Sequence, residues 1–514
     1  MNLNTYHLSY PLHLYCLAKL FHLHPKDYKI ARILELGTGS GGNIIPFAYY
    51  FQEAQVVGID ISAEKIGIGQ GIIDTLQLKN IQLLEQSILD IPLSLGKFDY
   101  IICHGLYSGT PENVRNKLMT ICRDHLAPEG IVYIGYKTLP AWNMLQGLRD
   151  MMLYHVAHLK TWQDKAQQAR LLLNFLLEGI GNDNTTHAKF LKKEIQLLSQ
   201  QSDAFIYHEY LSQVNYACYF SQFVQHANAN QLTYLSDAYL PMMFPGNLTE
   251  KFRGQIATLK DIVQVGQYLD FIRNQRFRST VLCHQDKKIN RNIDVQHIHT
   301  FYIAYGGIYN KNITEANLTE GQLLEFEVKN SGIKLSLTTA LSKRAMKILH
   351  DERGKPISYG LLIEKIAKQT GAGSEKIALL FNNELNLARL LFADLIKIYP
   401  DEGAYTNTIG EYPKANSFIR YMAKISDHVP NARHETYLLN PIEREVLQDL
   451  TGEKTVAQIL EKIQTLMKNK IQNKALILKD AQGQEVIEEN LVDQTLEKMS
   501  KEFLENLAQQ AYLS

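Results

Sequence analysis

The chain has 514 residues, 45% of them apolar, and its 53 basic and 53 acidic side chains leave no formal net charge. That length exceeds what one core supports and implies two to four domains, while the balanced charge removes any global attraction to nucleic acid or an acidic membrane surface. The five cysteines, Cys16, Cys103, Cys122, Cys218 and Cys283, are odd in number, scattered and without metal-ligand spacing. They read as reduced thiols of a cytoplasmic protein with no metal site. No amino-terminal apolar run resembles a signal peptide, and no segment reaches the length of a membrane span.

The first strong element is Ile33-Leu34-Glu35-Leu36-Gly37-Thr38-Gly39-Ser40-Gly41-Gly42-Asn43, followed downstream by Gln55-Val56-Val57-Gly58-Ile59-Asp60. Ile33 and Leu34 end a buried parallel strand, the glycines let the backbone turn close to a ligand, and Asp60 stands where a carboxylate can accept both hydroxyls of a ribose. A nucleotide-type cofactor pocket follows. Gly37, Gly39 and Gly42 also satisfy the dinucleotide pattern, so the glycines alone leave an NAD(P)-dependent oxidoreductase open. Glu35 discriminates, because an acid two residues before the first glycine reaches the pocket floor, where it repels a pyrophosphate and attracts an amino-acid ammonium. S-adenosylmethionine carries that ammonium and no phosphate.

Phe98-Asp99-Tyr100-Ile101-Ile102 is the next central strand, and Leu126-Ala127-Pro128-Glu129-Gly130 reads as a helix end and turn feeding a strand from Ile131 to Tyr136. The alternation is that of a doubly wound α/β sheet. Four motifs in this order resemble the class I S-adenosylmethionine-dependent methyltransferases, with Glu35 to Gly41 as the glycine motif, Asp60 as the ribose acid and Phe98 to Ile102 before the catalytic loop. The resemblance implies a Rossmann-like sheet and cofactor contacts from Glu35, Gly37, Thr38, Gly39, Gly41, Asn43, Asp60, Ile61, Ser87, Ile88 and His104. One position departs. Ser87 stands where family members often carry the acid that holds adenine, a hydroxyl accepts more weakly than a carboxylate, and Asp90 is the alternative acceptor.

Methyl transfer is an in-line displacement, so the protein must hold the acceptor collinear with its lone pair exposed, and a lysine must arrive neutral. His104 and Tyr107 occupy the loop after the fourth strand, which opens over the carboxyl ends where such sheets place ligands. They are the first catalytic candidates, with Tyr136 at the end of the fifth strand as the third. His104 would accept the proton or orient the acceptor, and a packed rim is the structural alternative for His104 and Tyr107. Cys103 ends an apolar strand and is not needed as a nucleophile.

A narrower resemblance rests on His104-Gly105-Leu106-Tyr107-Ser108, Arg149-Asp150-Met151-Met152-Leu153-Tyr154-His155, His208-Glu209-Tyr210-Leu211, Tyr268-Leu269-Asp270-Phe271 and Arg273-Asn274-Gln275-Arg276-Phe277-Arg278. These segments resemble methyltransferases with a methyltransferase regulatory domain, a group that includes the rickettsial outer-membrane-protein lysine methyltransferases. The resemblance implies methyl transfer to lysines of a protein substrate, in that group a surface or outer-membrane protein before export. A homodimer stays open, and a degenerate methyltransferase acting as a scaffold is the remaining alternative. Only Tyr6 to Pro11 precede the first helix, so the lid over the cofactor is expected to be reduced or replaced. His208-Glu209-Tyr210 reads as a hydrogen-bonded corner, and Arg276 and Arg278 as sheet-edge salt bridges, ahead of roles in catalysis or substrate binding.

Apolar residues recur at helical spacing over Trp142 to Leu159 and Gln163 to Leu177, before a polar break at Gly181 to Thr186, which gives a helical insertion at about 142–215. After a helix at Tyr219 to Ala229, the last two strands of the sheet are expected at Gln231 to Leu240 and Ser279 to His284. The methyltransferase domain is thus expected to span 1–288, with a regulatory-type segment at about 207–288. Residues 289–420 read as a small β element at Val295 to Val328, with Gly306-Gly307 and Ser331-Gly332 as breakers, and a winged-helix-like module of three helices, at Thr338 to Leu349, Tyr359 to Gln369 and Gly373 to Leu391, and a strand at Asp394 to Tyr399. A second such module, 421–514, has elements at Thr436 to Leu439, Ile442 to Leu450, Thr455 to Met467 and Leu476 to Glu485. The N-x-S/T triplets at Asn184, Asn247, Asn312 and Asn317 read as polar loop. On this plan a chain ending near residue 288 keeps cofactor affinity and loses positioning of a macromolecular acceptor.

Overall fold

A computed structural model describes residues 3–246, 248–310, 312–328, 334–473 and 489–514. Its main sheet has eight strands: β1 Arg32–Leu36, β2 Gln55–Asp60, β3 Ile81–Glu85, β4 Phe98–His104, β5 Leu126–Thr138, β6 Ala217–Cys218, β7 Leu232–Asp237 and β8 Phe277–His284. The order is β3-β2-β1-β4-β5-β8-β7, with β6 beside the end of β5. Strands β1 to β5 are parallel, β8 is antiparallel to β5, and β7 is antiparallel to β8. This is the expected Rossmann-like sheet. Its winding reverses between β1 and β4, and a doubly wound sheet opens its ligand crevice at that switch point, beyond the carboxyl ends of the strands.

Strand β1 forms because Ile33, Leu34 and Leu36 are apolar and fully buried, as a central parallel strand with two covered faces requires. Strand β5 departs from expectation. Helix Glu112–Asp124 precedes it, and the turn expected at Leu126 to Gly130 is absorbed into the strand as a bulge, since Phe98 pairs with Leu126 and the next pair is Tyr100 with Ile131.

The two faces of the sheet bury different partners. One carries Leu34, Ile101, Cys103 and Tyr136 and joins the core that includes Leu118 and Phe223, on helices Glu112–Asp124 and Phe220–Ala229. The other carries Ile33, Tyr100, Ile102 and Tyr133, in a core shared with helix Pro11–Leu20. That second core runs on through Ile303, Ile396, Phe418 and Val429 to Leu513. Residue 288 divides the chain but not this core.

The helical insertion has its own core, with Trp142, Leu148, Leu173 and Ile195 joining helices Ala141–Val156, Trp162–Ile180 and Thr186–Ser199. Downstream, strands Tyr302–Tyr305, Ile357–Ser358 and Ile396–Tyr399 form a three-stranded sheet beside helices Ala340–Asp351 and Tyr359–Thr370. The single helix expected at Gly373 to Leu391 is two, Ser374–Asn382 and Leu387–Phe392, because Asn383 leaves helical backbone angles and Asn386 caps the second.

The carboxy-terminal module contains the hairpin His428–Pro430 and Thr436–Leu438 and helices Pro441–Asp449, Val456–Gln472 and Glu489–Gln509. Helix Ser417–Ile425, absent from the sequence reading, crosses the boundary drawn between residues 420 and 421 and packs on Pro441–Asp449. The expected element Leu476 to Glu485, the breaker Ser331-Gly332 and the Asn247 triplet lie outside the described residues. Among the described residues no helix is long and apolar enough to cross a membrane, and no group of His, Cys, Asp or Glu is arranged to hold a metal.

Candidate functional site

After β1 the backbone turns through Gly37, Gly39 and Gly41 at φ of +76°, +57° and +75°. Only glycine adopts that region without strain, which is why the loop is built from it. The N–H groups of Gly37 and Thr38 donate to the Ile59 carbonyl, at 2.8 and 3.0 Å, tying the loop to the end of β2. The Asp60 carboxylate accepts from Gly39 N at 2.8 Å and from Ser62 N at 3.0 Å, one bond to each oxygen. Its orientation is therefore preset, with acceptor capacity left for ribose hydroxyls.

Ile61 follows at the mouth of this loop, 74% exposed. So large an apolar side chain left in water suits the face of a cofactor ring. Ser87 uses its hydroxyl to accept from Leu89 N at 3.2 Å and so caps the turn Ile88–Asp90, in which Ile88 is buried and Asp90 exposed.

Glu35 is the acid expected at the pocket floor. It is only 3% exposed, and its two oxygens accept from Thr38 Oγ1 and Asn43 Nδ2, both at 2.6 Å. Burial nonetheless pushes its pKa up to about 7, outweighing the two donors, and nearby Asp60 adds to the rise. A cation beside an acid held at that value draws out its carboxylate form, whereas a pyrophosphate opposes it, which suits the ammonium of S-adenosylmethionine. Asn43 is the hub behind it: its Oδ1 accepts from Tyr6 N at 2.9 Å and from His434 Nε2 at 2.9 Å.

His104 lies at the end of β4 with Nδ1 2.9 Å from the Tyr133 hydroxyl, and the Tyr6 ring stacks on it at 3.8 Å. Gly135 faces it across the strands, where a Cβ would come within 2.9 Å of His104 Nδ1 and 2.8 Å of the Phe277 ring, so glycine makes the room. Burial pulls the His104 pKa down to about 4 and keeps the imidazole neutral near pH 7. Tyr133 donates its only hydroxyl proton to Ser279 Oγ at 3.0 Å, so His104 Nδ1 donates to Tyr133 and Nε2 carries the lone pair.

Tyr107 and Tyr136 are not part of this arrangement. Tyr107 is buried on the opposite face, with its hydroxyl 2.9 Å from His226 Nδ1 and its ring edge-on to Phe223. Tyr136 stacks on Phe223 at 3.9 Å, and its hydroxyl lies 3.1 Å from Thr280 Oγ1. Both are core aromatics, a correction to their catalytic assignment that follows from alternation along β5 and from the turn of the chain at Gly105, φ +75°. Cys103, fully buried with its pKa pushed up to about 12 by burial, is an inert thiol.

The downstream motifs are structural. Arg278 is fully buried, with Nη1 2.5 Å from Asp237 and Nε 2.8 Å from Asp270, over the Phe220 ring. Arg276 pairs with Glu194 through two bonds of 2.7 and 2.5 Å. His208-Glu209-Tyr210 sits on a π-turn, where the Lys137 Nζ donates to the Glu209 carbonyl at 2.8 Å and meets its carboxylate at 3.1 Å. Sequence reasoning missed Tyr6 as a contact of His104, and missed His434. Tyr6 opens the short segment whose lid was expected to be reduced or replaced, and no local signal pointed to His434.

Three family models match the chain: a "Methyltransferase domain" over residues 28–205, a "Predicted methyltransferase regulatory domain" over 202–284, and a "PKMT, C-terminal winged helix domain" over 411–512. A protein of Rickettsia prowazekii is 36% identical over 463 residues, 89% of this chain and 83% of that one. The structure of PKMT2 from Rickettsia typhi in complex with AdoHcy is 33% identical, covers 99% of both chains and superposes with a TM-score of 0.88. Another structure of PKMT2 from the same organism gives 32% and 0.86 at the same coverage. S-adenosylmethionine is the cofactor, and the alternatives of dinucleotide chemistry and inert scaffold are not favoured: the chain belongs to the family of S-adenosylmethionine-dependent methyltransferases that contains Rickettsia typhi PKMT2.

Proposed function

We propose that the chain transfers the methyl group of S-adenosylmethionine to lysine side chains of a protein acceptor. The observation that carries this reading is the end-to-end likeness to a protein lysine methyltransferase, which includes the carboxy-terminal module as well as the cofactor domain. In this reading Gly37, Thr38, Gly39 and Gly41 shape the cradle, Asp60 takes the ribose, Ile61, Ser87 and Ile88 border the adenine, and Glu35 answers the ammonium with Asn43 holding its carboxylate in place. When bound, the cofactor supplies an electrophilic methyl on a sulfonium, open to in-line displacement by an amine lone pair.

His104 acts on the acceptor. With Nε2 carrying a lone pair, it accepts a hydrogen bond from the incoming amine and fixes its direction of approach. It does not store the proton, since a group titrating near 4 is too weak a base to hold one at neutral pH. The proton leaves to water as the amine enters, because desolvation lowers the lysine pKa from its ordinary value of about 10.4. Tyr6 walls the reacting end from the side of residues 3–10.

The finer reading, that the acceptor is a surface or outer-membrane protein methylated in the cytoplasm before export, is supported by the motif resemblance set out above, which leaves the oligomeric state open. The test is incubation with labelled S-adenosylmethionine and separate envelope and cytosolic protein fractions, followed by mass spectrometry of the labelled residue. Label on lysines of an envelope protein is the expected result. Label confined to another residue type, or to RNA, would overturn the reading.

A further inference from the structure

The strand ends that hold the cofactor are wired to a residue 391 positions away. His434 lies in the tip of the carboxy-terminal hairpin, between strands His428–Pro430 and Thr436–Leu438, at a left-handed φ of +61° that side chains disfavour. The tip pins it there. Asn431 Oδ1 accepts from the N–H groups of Arg433 and Glu435 at 2.9 Å each, the His434 N–H donates to the Asn431 carbonyl at 3.1 Å, and Asn431 Nδ2 donates to the Gln510 carbonyl at 2.7 Å.

From that tip the His434 ring, 2% exposed, stacks on Tyr10 at 4.1 Å and 10° and sends Nε2 to Asn43 Oδ1 at 2.9 Å. The direction of that bond is fixed by its neighbours. Asn43 Oδ1 also receives the Tyr6 N–H, an obligatory donor, and Asn43 Nδ2 faces the Glu35 carboxyl, an acceptor, so the amide has one orientation and His434 Nε2 must donate. The same hairpin holds residues 3–10 directly, through Thr5 N to Thr436 Oγ1 at 2.9 Å and the two threonine hydroxyls at 2.8 Å. Tyr6, one residue on, is the ring that stacks on His104.

We infer that His434 is a positioning residue of the cofactor site: through Asn43 it fixes the carboxyl of Glu35, so the winged-helix module sets the affinity for S-adenosylmethionine from outside the pocket. Burial pulls the His434 pKa down to about 3, so the ring is neutral and the bond to Asn43 places its one proton on Nε2. The inference rests on the assignment of Glu35 and Asn43 to the cofactor pocket made above. It implies that a chain ending near residue 288 loses cofactor affinity along with acceptor positioning, against the expectation drawn from the domain plan.

The experiment uses the full chain and measures S-adenosylhomocysteine binding by titration calorimetry, kcat and KM for S-adenosylmethionine, and thermal unfolding. His434→Leu should weaken binding by about tenfold, the worth of one buried hydrogen bond, and raise KM similarly with kcat within about threefold. His434→Gln, which keeps an N–H donor, should recover most of it. Added to Asn43→Ala, His434→Leu should cost little more, because the two act through one contact. Unchanged affinity in His434→Leu, or additive losses in the double variant, would overturn the inference. If Asn43→Ala itself left affinity unchanged, the site assignment rather than the inference would have failed. Should His434→Leu not fold, His434→Phe keeps a ring against Tyr10 and lacks the donor to Asn43, and wild-type affinity in that variant would overturn the inference.

Discussion

His104 and Tyr107 are three residues apart, yet they lie on opposite faces of the sheet and in different chemistry. The His104 face is polar and wired over long distances: Glu35, Asn43, Tyr6, Tyr133 and His434 form hydrogen bonds that join the cofactor strands to residues 3–10 and to the carboxy-terminal hairpin. The Tyr107 face is an aromatic core of Tyr107, Tyr136 and Phe223 whose hydroxyls are spent on His226 and Thr280. A loop at the carboxyl end of a strand therefore nominates candidates without choosing among them. Burial and the partner of each polar atom decide which of them faces a ligand.

The comparison is broken most severely at the core. Phe223→Ala removes a fully buried ring stacked on Tyr136 and should cost about 3–5 kcal/mol of stability, while the KM of whatever protein remains folded stays near wild type. Chemical denaturation with parallel kinetics checks this. Asp60→Ala should do the reverse, weakening S-adenosylhomocysteine binding by about 2–4 kcal/mol through lost charge-assisted bonds, with a smaller effect on unfolding. Unchanged binding in calorimetry would remove Asp60 from the pocket.

A third effect is set by pH. Because Glu35 titrates near 7 in the folded chain, above the ordinary 4.5, its protonated form contributes stability that is complete below about pH 4.5 and is lost as pH rises through 7. Cofactor binding has the opposite sign, since an ammonium calls for the carboxylate. Affinity for S-adenosylhomocysteine should therefore rise by up to about tenfold per unit as pH approaches 7 from below and then level off. Glu35→Gln should flatten that profile. A wild-type profile that is already flat would detach Glu35 from the ammonium.

Much of the sheet was legible because its strands are continuous apolar runs between glycine and polar breaks, as at Ile33 to Leu36 and Phe98 to Ile102. Asp60 and the glycine loop were legible for the same local reason. What was not legible depends on partners far along the chain. Helix Ser417–Ile425 has nine residues, too few for periodicity to outvote its flanking loops. The bulge in β5 depends on its register with β4, and His434 reaches Asn43 only once the carboxy-terminal module has docked. Arg278 shows the same limit from the other side: a salt bridge was expected at the edge of the sheet, but β8 is an interior strand, and the burial of Arg278 between Asp237 and Asp270 belongs to packing.

The most direct test of the central claim, that the reaction runs on the His104 face alone, is the turnover of His104→Ala and Tyr107→Phe on one protein acceptor at saturating S-adenosylmethionine. The account predicts a fall in kcat of about a hundredfold for His104→Ala, the scale of a misdirected acceptor. Tyr107→Phe should lose about 1 kcal/mol of stability with its bond to His226 and leave kcat unchanged. A large loss of turnover in Tyr107→Phe with near-normal turnover in His104→Ala would contradict it.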